Sequence, residues 1–282
     1  MNFNGIVFPS PNFDFNYAEN YDVELIYIPK DIKDKNKIEF IPCLFLRTLT
    51  NSKNFLLLFH GNAEDIFGAR TMAEKLKNKL NVNLIIIEYP GYSLYTSTSK
   101  DSETLLENTI IVYDYIKQIF NLQDNNIFVL GRSIGTSPAI YLSSKRKPNA
   151  LFIISAFTSI KAVAKNLVGP LNIFLKNRLF SSEYIKKVTC PILLIHGQCD
   201  PLIPFSETLQ LKENCKCPYE VLLPENMTHN DFNLDLDIIE PIYTFINKHC
   251  FIDKETSNYN YSKDPFKKLF QTPEEIRKKI YK

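Results

Sequence analysis

Glycine and histidine are scarce in this chain, eight and four among 282 residues, and each scarcity narrows what the chain can do. Two glycines flanking one serine cannot be put down to a glycine-rich linker. Any reaction needing an imidazole has only His60, His196, His229 and His249 to draw on. No apolar run reaches the roughly eighteen residues of a membrane span, and Met1 to Pro9 has no basic stretch leading into an apolar core, so neither a span nor a secretory leader is expected. A net charge of +2 leaves no basic surplus for nucleic acid. The six cysteines, at 43, 190, 199, 215, 217 and 250, lack zinc or disulfide-framework spacing, and Cys215-Lys216-Cys217 is not Cys-x-x-Cys, so reduced structural thiols in a cytosolic protein are expected. Internal repeats are also missing.

What is present is an alternation of short apolar runs with helical segments, the pattern of a mostly parallel sheet covered on both faces. Strands are expected over 23–28, 38–46, 55–59, 84–88, 127–130, 151–155, 192–196 and 220–223. Helices are expected over 69–80, 103–120, 137–145, 207–213 and 236–250. Residues 157–187 break that rhythm and are expected to form a small cap, with apolar residues at helical spacing from Ile160 to Val168 until Gly169-Pro170 intervenes. That cap either buries one face on the sheet or lines an acyl pocket, with Lys161, Lys165, Lys176 and Arg178 turned to a membrane surface or a protein partner. Residues 1–250 then form one domain, the aromatic segment Phe8 to Phe15 packing along it, and 251–282 form a polar, partly helical tail.

The chemistry-bearing motif is Gly131-Arg132-Ser133-Ile134-Gly135, set between the apolar run Ile127 to Leu130 and a helix. A serine in such a strand–turn–helix context is a candidate nucleophile: the sharp turn strains its backbone and exposes its hydroxyl, and a Cβ at either glycine would clash. A serine hydroxyl is a poor nucleophile near neutrality, so a base and an orienting acid must follow. His60 and His196 each end an apolar run and precede a glycine, and His249 falls near the end of the last helix. His229, in the loop after the final strand, is the candidate base, against a plain loop histidine. Asp200 leaves the strand 192–196 and is the candidate acid, against a turn aspartate bonding its own backbone. Asp231 and Asp235 are assigned to the start of the last helix. Stabilising an oxyanion needs two backbone N–H groups, one from Ile134 and one from Asn62 or Ala63 in the loop after Phe55 to Phe59, where Gly61 is expected to let the chain turn.

His60-Gly61-Asn62-Ala63, Glu88-Tyr89-Pro90-Gly91-Tyr92, Gly131 to Thr136, His196 to Asp200 and His229-Asn230-Asp231 together resemble the successive landmarks of the α/β-hydrolases. The set is most similar to the domain-containing 17 protein depalmitoylases and the bud-emergence hydrolases, over about residues 38 to 249. The resemblance implies an α/β-hydrolase fold with a sheet of about eight strands, Ser133 as nucleophile, Asp200 as acid, His229 as base, and Asn62 and Ile134 as oxyanion donors. One departure stands out. Those depalmitoylases carry an acylated N-terminal cysteine cluster, whereas the first cysteine here is Cys43 and residue 2 is Asn2, so no lipid anchor of that kind is expected.

The function implied is a serine hydrolase acting on an ester or thioester without metal or organic cofactor. An S-acylated protein is the first substrate class and a lipid or small carboxylic ester the second. A non-catalytic scaffold of the same fold is the alternative from another class. The expected location is cytoplasmic, peripheral at membranes, with transient membrane contact through the cap.

Overall fold

The computed structural model describes residues 24–30, 39–50, 52–95, 102–160 and 181–252. The expected cap is thus described only at its two ends, and the Phe8 to Phe15 segment and the tail beyond 252 lie outside the described residues. Eight strands are present: β1 (Leu25–Lys30), β2 (Glu39–Leu46), β3 (Phe55–Phe59), β4 (Asn83–Ile87), β5 (Ile127–Arg132), β6 (Ala150–Ile154), β7 (Ile192–Ile195) and β8 (Tyr219–Leu222). Around them stand α1 (Arg70–Leu80), α2 (Ser102–Ile119), α3 (Thr136–Lys145), α4 (Ser181–Ile185), α5 (Ser206–Glu213) and α6 (Glu240–His249).

The strands form one sheet in the order β1-β2-β4-β3-β5-β6-β7-β8. β2 runs antiparallel to both β1 and β4, and the other pairs are parallel. Helices cover both faces, so the central strands are apolar but for Asn83 opening β4 and Gly131-Arg132 closing β5, and period-two geometry sorts them into two cores. Leu57, Phe59, Ile85, Ile87, Val129, Ile153 and Leu194 face α2 and α3. Leu56, Leu58, Ile86, Phe128, Leu130, Phe152 and Ile195 face α1 and α6, where Leu76, Ile242, Phe245 and Ile246 meet them.

From β3 the chain crosses to β4 on one side, and β5 then pairs with β3 on the other. Ligands bind outside the carboxyl ends of strands at such a reversal. Because Phe59 is in register with Gly131, the loop after β3 and the loop after β5 leave the sheet side by side. The ends of the cap segment also meet there: Ser182 N donates to Thr158 O at 3.2 Å, and the Thr158 N–H and hydroxyl both donate to Glu207 Oε2 at 2.9 and 2.6 Å.

Most expected elements fall within a residue or two of their observed bounds, with two instructive departures. β1 extends to Lys30, two residues past the expected end at 28, because Pro29 and Lys30 stay in register with Phe40 and Glu39. The last helix divides: a widened π-type turn over Leu234–Ile239 precedes α6, and Pro241 enters in α6's first turn, where its missing N–H costs nothing. That turn is capped by Asn233, whose Oδ1 accepts from Asp235 N and Leu236 N at 3.1 and 3.0 Å. The expectation for Asp231 is thereby corrected. It closes a turn with Thr228, its N–H donating to Thr228 Oγ1 at 2.9 Å, and does not start the helix. Asp235 does sit in the first turn, paired with Lys75 Nζ at 2.8 Å.

Candidate active site

Ser133 follows β5 directly and has φ +52°, in the left-handed region where a side chain costs about 1–2 kcal/mol. Such strain persists only where neighbours hold it. Here Ser133 O accepts from Thr136 Oγ1 at 2.6 Å, and a short 3₁₀ turn, Ser133–Gly135, runs straight into α3. The flanking glycines are required by contact: a Cβ on Gly131 would collide with the backbone of Gly135 and Thr136, and one on Gly135 with the carbonyls of Phe59 and His60. The elbow is thus pressed against the loop after β3.

His229 Nε2 lies 3.0 Å from Ser133 Oγ, and His229 Nδ1 lies 2.7 Å from Asp200 Oδ2. Three residues from three loops form one hydrogen-bonded line, each less than a tenth exposed. The second oxygen of Asp200, Oδ1, accepts from Leu202 N and Ile203 N, both at 2.9 Å, while His196 Nε2 stands 3.4 Å from Oδ2. Burial pushes the Asp200 carboxyl up, but hydrogen bonds from His196, His229 and the Ile203 amide outweigh it and hold the group well below the ordinary carboxylate range. An ionised Asp200 fixes the His229 tautomer with Nδ1 protonated and Nε2 able to accept the serine proton.

Ile134 opens the turn into α3, so its amide points out at a helix N-terminus beside Ser133. Asn62 lies in the loop after β3, its Oδ1 accepting from Tyr92 OH at 2.9 Å. The turn expected at Gly61 belongs instead to Ala63, at φ +55°. Gly61 is small because the Arg132 guanidinium packs on it, and its N–H donates to Glu64 Oε2 at 2.9 Å.

Below this loop lies a second polar cluster. His60 is fully buried, Nε2 3.1 Å from Glu88 Oε1 and Nδ1 3.0 Å from Gly61 O. Tyr89 stacks on the imidazole at 3.9 Å and donates its hydroxyl to His60 O at 2.7 Å. Glu88 also accepts from Tyr89 N at 2.9 Å, from Ile66 N at 3.4 Å and from Ser93 Oγ. Burial pulls the His60 pKa down, but the Glu88 hydrogen bond and charge overcome it, and the net shift is upward.

No family model matches the chain. Human α/β-hydrolase domain-containing protein 17B is 31% identical over 209 residues, 74% of this chain and 71% of that protein. The mouse 17C protein is 29% identical over 239 residues, 84% of this chain and 72% of its own length. The chain belongs to the α/β-hydrolase domain-containing 17 family. Solved structures agree on the fold. An esterase from Pyrococcus furiosus superposes with a TM-score of 0.63 at 16% identity, over 85% of this chain and 97% of that one. A monoacylglycerol lipase from Paleococcus ferrophilus gives 0.56 at 17% identity, over 74% and 99%. The architecture is therefore that of the α/β-hydrolases, as the motif order implied.

Within this family frame, the histidines set aside by sequence also find places. His196 is buried, Nδ1 2.7 Å from Thr208 Oγ1 and Nε2 2.8 Å from Ile203 O, so it braces the Asp200 loop. His249 ends α6 with Nε2 2.6 Å from Glu220 Oε1. Sequence reasoning missed two residues. Glu88, the one acidic residue closing an otherwise apolar strand run, carried the signal of a buried, paired carboxylate. Arg132 was read only as the spacer within the glycine motif. Among the described residues no group of three or more His, Cys, Asp or Glu is placed to hold a metal ion, and no helix is long and apolar enough to cross a membrane. Burial pushes the thiols of Cys215 and Cys250 up to about 12, as expected for unreactive structural cysteines.

Proposed function

We propose that this member of the family is a serine hydrolase that cleaves an ester or thioester through an acyl-enzyme. The observation that carries the reading is the unbroken line from Asp200 through His229 to Ser133 Oγ. In this mechanism His229 Nε2 takes the hydroxyl proton as Ser133 Oγ attacks the acyl carbonyl carbon. The amides of Ile134 and Asn62 receive the negative oxygen of the tetrahedral intermediate, while Asp200 stabilises the imidazolium. The intermediate collapses, the bond to the leaving sulfur or oxygen breaks, and His229 returns the proton to it. Water then attacks the acyl-enzyme by the same route, releasing a carboxylic acid and free Ser133. Loss of one oxyanion donor costs about 3 kcal/mol in such sites, so the Asn62 loop matters alongside the three side chains.

The substrate class proposed is an S-acylated protein, on the resemblance to the 17-family depalmitoylases; the cap that would receive the acyl chain lies mostly outside the described residues. A fluorophosphonate probe tests the chemistry. The purified protein is expected to label, and Ser133→Ala to abolish the label; an unlabelled wild type would favour a scaffold. Turnover of a long-chain acyl-thioester faster than a short oxyester would support the substrate assignment, and the reverse order would replace it with a lipid or small ester.

A further inference from the structure

Arg132 stands between Gly131 and Ser133, and its side chain is 13% exposed. From the elbow it reaches two other loops. Its Nη2 donates to His229 O at 2.9 Å and to Asn230 Oδ1 at 2.8 Å, which fastens the loop carrying the imidazole. Its Nη1 lies 3.5 Å from Glu64 Oε2, and that carboxylate accepts the Gly61 N–H, which fastens the loop carrying Asn62. The Phe232 ring lies 5.6 Å from the guanidinium carbon. Gly61 leaves the space this arrangement needs, because a Cβ there would meet Nη1 at 2.8 Å.

We propose that Arg132 is a positioning residue that clamps the nucleophile, base and oxyanion loops in mutual register. The proposal deepens the serine-hydrolase reading and rests on it. A planar fork suits this task, since its donors diverge at fixed angles towards two loops, which a lysine ammonium cannot reproduce. Arg132 Nε is buried and meets no acceptor among the described residues, a cost that the contacts of Nη1 and Nη2 offset. Among the described residues, the hydrogen bond that joins base to nucleophile besides those of Arg132 is the 3.0 Å contact between His229 and Ser133.

The test compares Arg132→Lys, Arg132→Gln, Asn230→Ala and the double variant Arg132→Gln/Asn230→Ala with wild type. Turnover of a chromogenic ester is expressed per active site, counted by fluorophosphonate titration. Arg132→Gln should lower kcat on the order of tenfold to a hundredfold with KM changed less than about twofold, as expected from an ångström-scale misplacement of reacting groups. Arg132→Lys should recover little of that loss. Asn230→Ala should cost less, and the double variant should be no worse than Arg132→Gln alone, because both remove the same tether. Wild-type kcat per titrated site in Arg132→Lys or Arg132→Gln, or additive losses in the double variant, would overturn the clamp. Should neither Arg132 variant fold, Asn230→Ala and Glu64→Gln carry the test, and unchanged per-site kcat in both would overturn it equally. An inert, unlabelled wild type would instead sink the hydrolase reading, and the clamp with it.

Discussion

His229 and His60 both stand near the carboxyl end of a strand, both are buried, and both hold a carboxylate, Asp200 at 2.7 Å and Glu88 at 3.1 Å. They part company at the other ring nitrogen. His229 Nε2 faces Ser133 Oγ, a hydroxyl that can donate, so a neutral imidazole satisfies both of its contacts. His60 Nδ1 faces Gly61 O, which can only accept, as Glu88 does on the other side. With Glu88 ionised, both nitrogens of His60 donate, and its pKa is shifted upward in the same sense. The same two residue types thus become a candidate base or a strut according to what the far nitrogen meets.

The widest separation between the two pairs should come from removing each imidazole. His229→Ala should lower kcat by about 10⁴-fold or more per folded molecule. His60→Ala leaves Glu88 buried without its partner and should cost roughly 3–5 kcal/mol of stability, with turnover per folded molecule far less affected. Denaturation curves and per-site kinetics on both variants decide the matter. A His60→Ala protein of wild-type stability but no activity would erase the distinction between base and strut.

The pairs should also fail at opposite ends of the pH scale. The His60 pKa is raised on folding, so its contribution is complete below the ordinary imidazole value of about 6.5 and is lost as pH climbs through the raised value. The Asp200 pKa is depressed, so its contribution is complete above the ordinary carboxylate value of about 4 and is lost as pH falls through the depressed one. Urea titrations across pH should therefore show wild type losing its advantage over Glu88→Gln on the alkaline side, and over Asp200→Asn on the acid side. A constant gap to Glu88→Gln at every pH would mean that His60 is not an imidazolium in the folded protein.

The meeting of Ser133, Asp200 and His229 was legible in sequence, and the strut side was not. Ser133 announced itself through two glycines whose absence of Cβ is a steric necessity, and His229 through elimination among four histidines. Each signal is local. His60 and Glu88 are 28 residues apart, and only the pairing of β4 with β3, which no local pattern states, brings them together. Arg132 was hidden differently, since its identity was visible but its partners at 64, 229 and 230 come from other loops. Strand bounds were readable at β3, β6 and β7 because two-faced burial makes each of these a solid apolar run. The division before α6 was less so, because Asn233 caps through a side chain whose competitors Asp231 and Asp235 look equally fit on paper.

The smallest expected effect lies at the seam between the two regions. Tyr92 packs against His60 and Tyr89, with ring centroids 5.9 and 5.6 Å away, and its hydroxyl donates to Asn62 Oδ1. It is one of the residues through which the buried strut touches the loop that would hold the oxyanion. Tyr92→Phe keeps the ring and removes only that bond. Because Asn62 is exposed, water replaces the lost donor, and stability should change by well under 1 kcal/mol. If the strut also steadies the loop, kcat should fall about fivefold, near 1 kcal/mol on the barrier, with KM unchanged, since only the transition state loads the oxyanion donors. A kcat equal to wild type would show that the elbow, packed directly on the carbonyls of Phe59 and His60, sets the loop without help from the cluster beneath it.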